Sequence, residues 1–497
     1  MKTIRPLAAA LALAFPLGVA AETAVTVYSS ARPGSLNPHT FRSGGEGVIV
    51  PGYALVREER AFVLKPGRNL LRVTDVPALI DPTTVAFASL TDPKATRVVE
   101  QSFEFDLTST SKLLSRFLER EIVVDQVRDN GVEAVGGTLV GTQGGLILKQ
   151  PDGSVRVVES HSGIKLPSLP GGLISRPTLV WDIETPTAGT HESRFAYQTG
   201  GMTWWADYNL TYSENGGGCK LDVGAWVTIV NQSGASYADA RLKLIAGDVQ
   251  RAQARQPAPQ PAALAARMAM DKSDGFIEKA FFEYHLYTLG RKTSLPDNST
   301  KQIELFPMAP GVGCQKNLVY YGQGMAFPSY GSPMTDRNYG VQSNRKVDVY
   351  LRVKNSTANG LGIPLPAGKI RVSKLDAADG SLEFIGEDLI DHTARDETVQ
   401  IKLGSAFDVV GERKQVDFRI DTTAKWIEED IEVRLRNQKP DEAATVIVKE
   451  NLYRWSTWSI LRKSHDFTKE DARTIHFPVK LAPKAEAVVR YTVRYNW

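Results

Sequence analysis

Short runs in which apolar and polar residues alternate recur from one end of the chain to the other. In KVDVYLRVKN, Val347, Val349, Leu351 and Val353 fall on one side of an extended strand. In DIEVRLRN, Ile431, Val433 and Leu435 alternate with Glu432, Arg434 and Arg436. A period of two with one polar face marks half-buried antiparallel strands. Turn-forming stretches such as PDGS, AADGS and LPDNS separate neighbouring runs. Helical spacing is rare. Its clearest instance is STSKLLSRFLEREI, where Leu113, Leu114, Phe117 and Leu118 form a stripe behind capping Ser and Thr residues. The pattern predicts a mainly β, multi-domain chain of antiparallel β-sandwich domains.

The helix is followed by EIVVDQV, VGGTLVGTQ, GLILKQPDG and SVRVVE, short strands on tight turns. One helix leading four or five short strands predicts a small SH3-like barrel over 108–168. Around it the pattern divides into an N-terminal β domain over 22–107, a β-sandwich over 169–365 and a C-terminal β-sandwich over 366–497. The sandwich of 169–365 is interrupted at 251–275 by RAQARQPAPQPAALAARMAMDKSDG, an Ala-, Pro- and Gln-rich linker.

The first residues change the compartment. MKTIRPLAAALALAFPLGVAAETA opens with Lys2 and Arg5, continues as an apolar run and ends in small residues, the three-part layout of a secretory signal peptide. Val19 and Ala21 place cleavage after Ala21, so 1–21 is read as removed and the mature chain as periplasmic or secreted. Losing Lys2 and Arg5 takes the formal charge from +3 to +1. That near-neutral balance leaves no electrostatic footprint for nucleic acid. In an oxidising compartment the two cysteines, Cys219 and Cys314, are expected to form a disulfide.

The chain ends in AEAVVRYTVRYNW, with Val489, Tyr491, Val493, Tyr495 and Trp497 on alternate positions. Such a strand closes outer-membrane barrels, and it equally suits the last strand of a sandwich. A membrane barrel needs a closed series of strands of about ten residues with aromatic girdles. Here strand lengths vary, and a linker and a helix break the series. No later segment approaches the roughly 20 apolar residues of a membrane helix. The expectation is therefore no membrane span.

Candidate chemistry is sparse. Adjacent Trp204 and Trp205 must point to opposite faces of a strand. Trp455 and Trp458 do the same if their strand is regular. The outward Trp of each pair is a candidate for sugar stacking, for a partner surface or for an inter-domain contact. The histidines make no HxH or HExxH pair, no GxSxG elbow occurs, and the Gly-rich GGTLVGTQGG lacks the Lys of a phosphate loop. No cofactor and no metal are expected. GEDLIDHT gathers Glu387, Asp388, Asp391 and His392, the best acid–base cluster available. Its alternative reading is a turn with solvated charges.

Several segments, taken in order, carry a resemblance: SLPGGLISRPTLVW, YQTGGMTWWADYNLTY, WVTIVNQSGASYADARLKLIAGDVQR, NGLGIPLPAGKIRVSK, GSLEFIGEDLIDHT, FDVVGERKQVDF, LYRWSTW and YTVRYNW. Over roughly 40–497 the chain resembles the secreted bacterial family related to mucoidy inhibitor A, whose C-terminal domain is one of unknown function. The resemblance implies an envelope location and a multi-domain β architecture. It implies no catalytic or ligand residues. The chain departs from relatives with a long N-terminal coiled coil, since no sustained heptad run occurs. Two function classes stay open: a non-enzymatic envelope protein that binds a protein or a glycan, and an envelope hydrolase with an unrecognised site.

Overall fold

The computed structural model describes residues 22–29, 50–105, 109–128, 131–168, 174, 176–214, 218–247, 249, 275–323, 331–341, 343–376 and 378–497. The segment 1–21, expected to be a signal peptide, and almost all of the expected linker at 251–275 lie outside the described residues.

The described chain is mainly β. A seven-stranded sheet runs in the order Phe276–Phe281, Tyr284–Leu295, Tyr237–Ala246, Glu22–Tyr28, Tyr53–Leu64, Gly189–Gly200, Ile80–Ser89. A three-stranded sheet, Gly67–Val73, Thr178–Thr185, Arg97–Glu104, packs on it through Trp181. That ring meets Phe62, Phe87 and Phe195 at centroid distances of 6.4, 5.2 and 5.3 Å. Edge-to-face and tilted aromatic contacts of this kind add to the burial term.

A thirteen-stranded sheet carries most of the remainder. Its edge strand Leu382–Ile390 curls round to meet Thr398–Asp421, where Asp388 Oδ2 accepts from the Lys402 main-chain N–H at 2.6 Å. The approach is so close that a side chain at Gly386 would strike the Leu403 carbonyl. The first core lies between this part of the large sheet and the seven-stranded sheet, and it joins Val25 and Val56 to Trp204, Leu210, Ile370 and Ile401. A second core, from Leu318 to Tyr495, fills the C-terminal sandwich.

These cores do not follow the blocks read from the sequence. Strands from 22–107 and from 169–365 share the seven-stranded sheet. The boundary at 365/366 falls inside the first core, which includes Ile370, Val372 and Ile390. Three strands serve both cores. Ser299–Tyr321 gives Ile303 and Val312 to the first and Tyr320 to the second. Lys346–Lys354 gives Leu351 and Val353 to the first and Val347 to the second. Thr398–Asp421 gives Ile401 to the first and Val409 to the second. Pairing is mostly antiparallel, as expected, but among the described residues three pairs are parallel: Glu22–Tyr28 with Tyr237–Ala246, Met202–Ser213 with Gly368–Leu375, and Ser299–Tyr321 with Ala444–Asn451. Parallel neighbours need long crossovers, which local periodicity does not reveal.

The helix is short, Thr110–Arg116, capped by the Ser109 side chain on the Lys112 N–H. Five strands follow in the order His161–Lys165, Glu121–Arg128, Gly131–Gly141, Leu146–Lys149, Val155–Val158. They enclose a separate small core with Leu114, Phe117, Ile122, Val124, Leu139 and Leu148. Leu118 lies past the end of the helix and is exposed, so the expected four-residue stripe shortens.

The terminal strand Glu486–Asn496 turns Val489, Tyr491, Val493 and Tyr495 into the second core, where Tyr491 stacks on Phe477 at 5.4 Å. Its alternation thus faces protein side chains. No helix among the described residues is long and apolar enough to cross a membrane.

Candidate functional site

Cys219 and Cys314 stand directly opposite each other on paired strands and are bonded, with Cα atoms 5.0 Å apart. The bond closes a loop across 95 positions. In the chain-entropy model such a loop stabilises by about 4–5 kcal/mol, and measured effects are often smaller.

The tryptophans separate as follows. Trp204 is fully buried in the first core, donates Nε1–H to the Ile245 carbonyl at 3.2 Å and meets Tyr287 edge-on at 6.2 Å. Trp205 points to the other face and is also buried, against Val50 and Val230. Trp455 lies ahead of the strand Trp458–Lys463, so the alternation expected of the second pair does not apply. Both Trp455 and Trp458 are half-buried against the second core. Trp458 donates to the Ala472 carbonyl at 2.8 Å, and the Lys469 ammonium sits 5.0 Å from its ring centroid. All four are thus buried or half-buried.

The acid–base cluster does not assemble. Glu387 pairs with Lys369 and Arg371. Asp388 accepts from main-chain N–H groups of Leu389 and Lys402. His392 Nδ1 accepts from the Ala367 N–H at 3.1 Å. His39 lies outside the described residues. His191 is buried with Nε2 on the Thr187 carbonyl, His285 contacts Glu278 at 2.7 Å, and His476 is lowered from its usual range by burial. Among the described residues no group of three or more His, Cys, Asp or Glu side chains could hold a metal ion.

Two polar constellations escaped the motif search. The first is sealed in the second core. Arg413 Nε donates to Glu450 at 2.9 Å, and Tyr491 donates its hydroxyl to the same carboxylate at 2.5 Å. Nearby, Arg454 contacts Glu429 at 2.8 Å, lies 4.7 Å from the Phe418 ring centroid, and donates to the carbonyls of Met334, Asp336 and Tyr339. Tyr453 donates to the Tyr339 carbonyl as well. This constellation is an anchor that ties the segment around 334–339 to the sandwich. It offers no access to a ligand.

The second constellation lines a groove of about 780 Å³ at the end of the seven-stranded sheet. Its walls include Glu58, Arg60, Asp75, Arg176, Ser236 and Tyr237. Glu58 is 4% exposed and accepts from the Tyr197 hydroxyl at 2.7 Å and from Arg60 Nε at 2.8 Å. Arg60 spans onward to Asp75 at 2.7 Å. Burial pushes the Tyr237 hydroxyl up to about 12. That hydroxyl sits beside Tyr197 and Ser233 without a well-formed hydrogen bond. The tyrosines are therefore neutral at physiological pH and serve as hydrogen-bonding groups.

A smaller concavity of about 360 Å³ lies on the outer face of the C-terminal sandwich. Its charges are mutually paired: Arg462 with Asp430, Arg490 with Glu432, Lys463 with Asp466. Set against known proteins, the chain matches no family model and no curated sequence.

Proposed function

We infer that this chain is a secreted cell-envelope protein whose β domains bind a protein or a glycan without catalysing a reaction. One observation carries the reading: the groove beside Glu58 has a ligand-sized volume, and its buried acid is already committed to Arg60 and Tyr197. Sites of several hundred Å³ with a few converging polar groups are the usual form of a binding pocket. The groove presents hydroxyls, a guanidinium and main-chain groups, the inventory used to recognise peptides and sugars. The hydrolase alternative drew on Glu387, Asp388, Asp391 and His392, of which Glu387, Asp388 and His392 are engaged with separate partners. The disulfide and the N-terminal pattern support an extracytoplasmic setting, periplasmic or secreted, and the resemblance to the family related to mucoidy inhibitor A supports the envelope.

The test is affinity capture from envelope extract, with residues 22–497 as bait, beside an Ala238→Trp variant. Ala238 is exposed on the groove wall, so Trp there fills the groove without touching either core. The expected result is a protein or glycan retained by the parent and lost by the variant at unchanged melting temperature. Release of products from envelope glycans by the parent, with nothing retained, would establish the hydrolase instead.

A further inference from the structure

On the strand Lys346–Lys354, Leu351 and Val353 point into the first core, so Arg352 and Lys354 point outward. Two residues apart on one strand, they stand about 6–7 Å from each other along the backbone and repel. A carboxylate across the strand stabilises a cation on a sheet face. The same strand does this elsewhere, where Asp348 pairs with Lys402 at 2.7 Å. At the cation pair the directly opposite residues are uncharged, Gln315 and Gln400 beside Arg352 and Thr398 beside Lys354, and the diagonal Lys402 is a further cation already paired with Asp348. No described side chain pairs with the Arg352 guanidinium. The Lys354 ammonium donates to the Asp396 main-chain carbonyl, a neutral acceptor that leaves its charge uncompensated.

These groups line a cavity of about 340 Å³ with a built wall. Asn359, at the end of the 3-10 turn Thr357–Asn359, is locked over the neighbouring strand. Its Oδ1 accepts from the Gly313 N–H at 2.8 Å, and its Nδ2 donates to the carbonyls of Gly313 and Lys354. The strand beneath is held by the Cys219–Cys314 disulfide. Asp396 and Glu397 adjoin Thr398 in the chain, but neither lines the cavity.

We propose that this cavity is a docking site for a compact oxyanion, a phosphate or sulfate group carried on an envelope ligand. A guanidinium engages such a group through two parallel N–H donors, and the ammonium adds a point charge. The Gln315 amide and Thr398 hydroxyl supply neutral donors on either side. Binding relieves the repulsion between Arg352 and Lys354 and, at an exposed site, weakens as salt rises. The site is separate from the groove beside Glu58, so either can fail without the other.

The experiment is calorimetric titration of residues 22–497 at low salt with glucose 6-phosphate, glucose 6-sulfate, inorganic phosphate and glucose. Both esters should bind and glucose should not. Sulfate equal to phosphate would support a site that reads the tetrahedral anion, and a preference for phosphate would support one that reads its greater charge. Inorganic phosphate as tight as its ester would support the same site with no contribution from the carrier. Arg352→Gln should weaken ester binding at least tenfold with the melting temperature unchanged, and Arg352→Lys should fall between. The proposal is overturned if glucose binds as tightly as its esters, if no anion binds, or if Arg352→Gln leaves the affinity unaltered.

Discussion

Arg413 and Glu450 meet in the second core with side chains 3% and 0% exposed. Removing charges from water costs several kcal/mol per ion, and the pair recovers this only while both partners and the Tyr491 hydroxyl are in place. Glu450→Ala should therefore lower unfolding free energy by about 3–5 kcal/mol, because it strands a buried guanidinium. The double variant Arg413→Met with Glu450→Leu should lose far less, or gain. Urea unfolding checks both, and equal losses would show that packing rather than charge governs the site. Glu214 illustrates the exposed case. Hydrogen bonds from Lys316 and Tyr212 lower its carboxyl from 4.5 to about 2. A depressed folded value stabilises fully above the unfolded value and is lost as pH falls from about 5 toward 2. The side chain is 46% exposed, so solvent screening keeps the effect below ~1 kcal/mol. Glu214→Gln should flatten the acid limb of the stability profile by that amount and leave pH 7 to 8 unchanged in slope.

At the scale of single elements, alternation reads further than motifs do. In the strand Tyr53–Leu64, Ala54, Val56 and Glu58 share the inward face. In Trp426–Asn437, Glu429 lies inward between Ile427 and Ile431, and in Ala444–Asn451, Glu450 follows Val446 and Val448. A charge at an inward position is a legible sign of a buried polar site, and it marks members of both constellations that a motif search overlooks. What alternation cannot supply is a partner from another element: Arg60, two residues on, shares the face of Glu58, whereas Arg454 arrives from a loop. The tryptophans divide on the same ground. Trp204 and Trp205 obey strand parity, whereas Trp455 precedes its strand and escapes it. Trp204→Ala removes a fully buried ring and its hydrogen bond, and should cost about 3–5 kcal/mol. Trp458→Ala, at a half-buried position, should cost about a third of that. Denaturant midpoints at constant m-value decide the ranking, and equal costs would show that Trp458 is as integral to the second core as Trp204 is to the first.

Across the whole molecule, the limit of sequence reading is strand pairing. The small helix-led unit was legible as a block because its strands pair with near neighbours in the chain and its core is its own. Elsewhere the strands that share a core are far apart: Val25 and Ile401 belong to one cluster. A fragment cut at the apparent joint, 366–497, would keep Thr398–Asp421 but lose Ser299–Tyr321 and Lys346–Lys354. Those strands pair with Ala444–Asn451 and Thr398–Asp421 and carry Leu318, Tyr320 and Val347 of the second core. Gly368–Leu375 would lose its partner Met202–Ser213 as well, so the fragment would expose that apolar surface and three unpaired strand edges, a combination that favours aggregation over folding. It should therefore show no cooperative thermal transition. The intact chain should unfold its two sandwiches together, because three strands run through both cores and neither can open without breaking the other's hydrogen bonds. A cavity made in the first core, by Ile370→Ala, should accordingly lower the midpoint reported by hydrogen exchange at Val489 and Tyr491 in the second. If those amides kept their protection while the first core weakened, the long strands would be acting as hinges between independent units, and the fragment 366–497 would merit a second trial with the strand Ser299–Tyr321 restored.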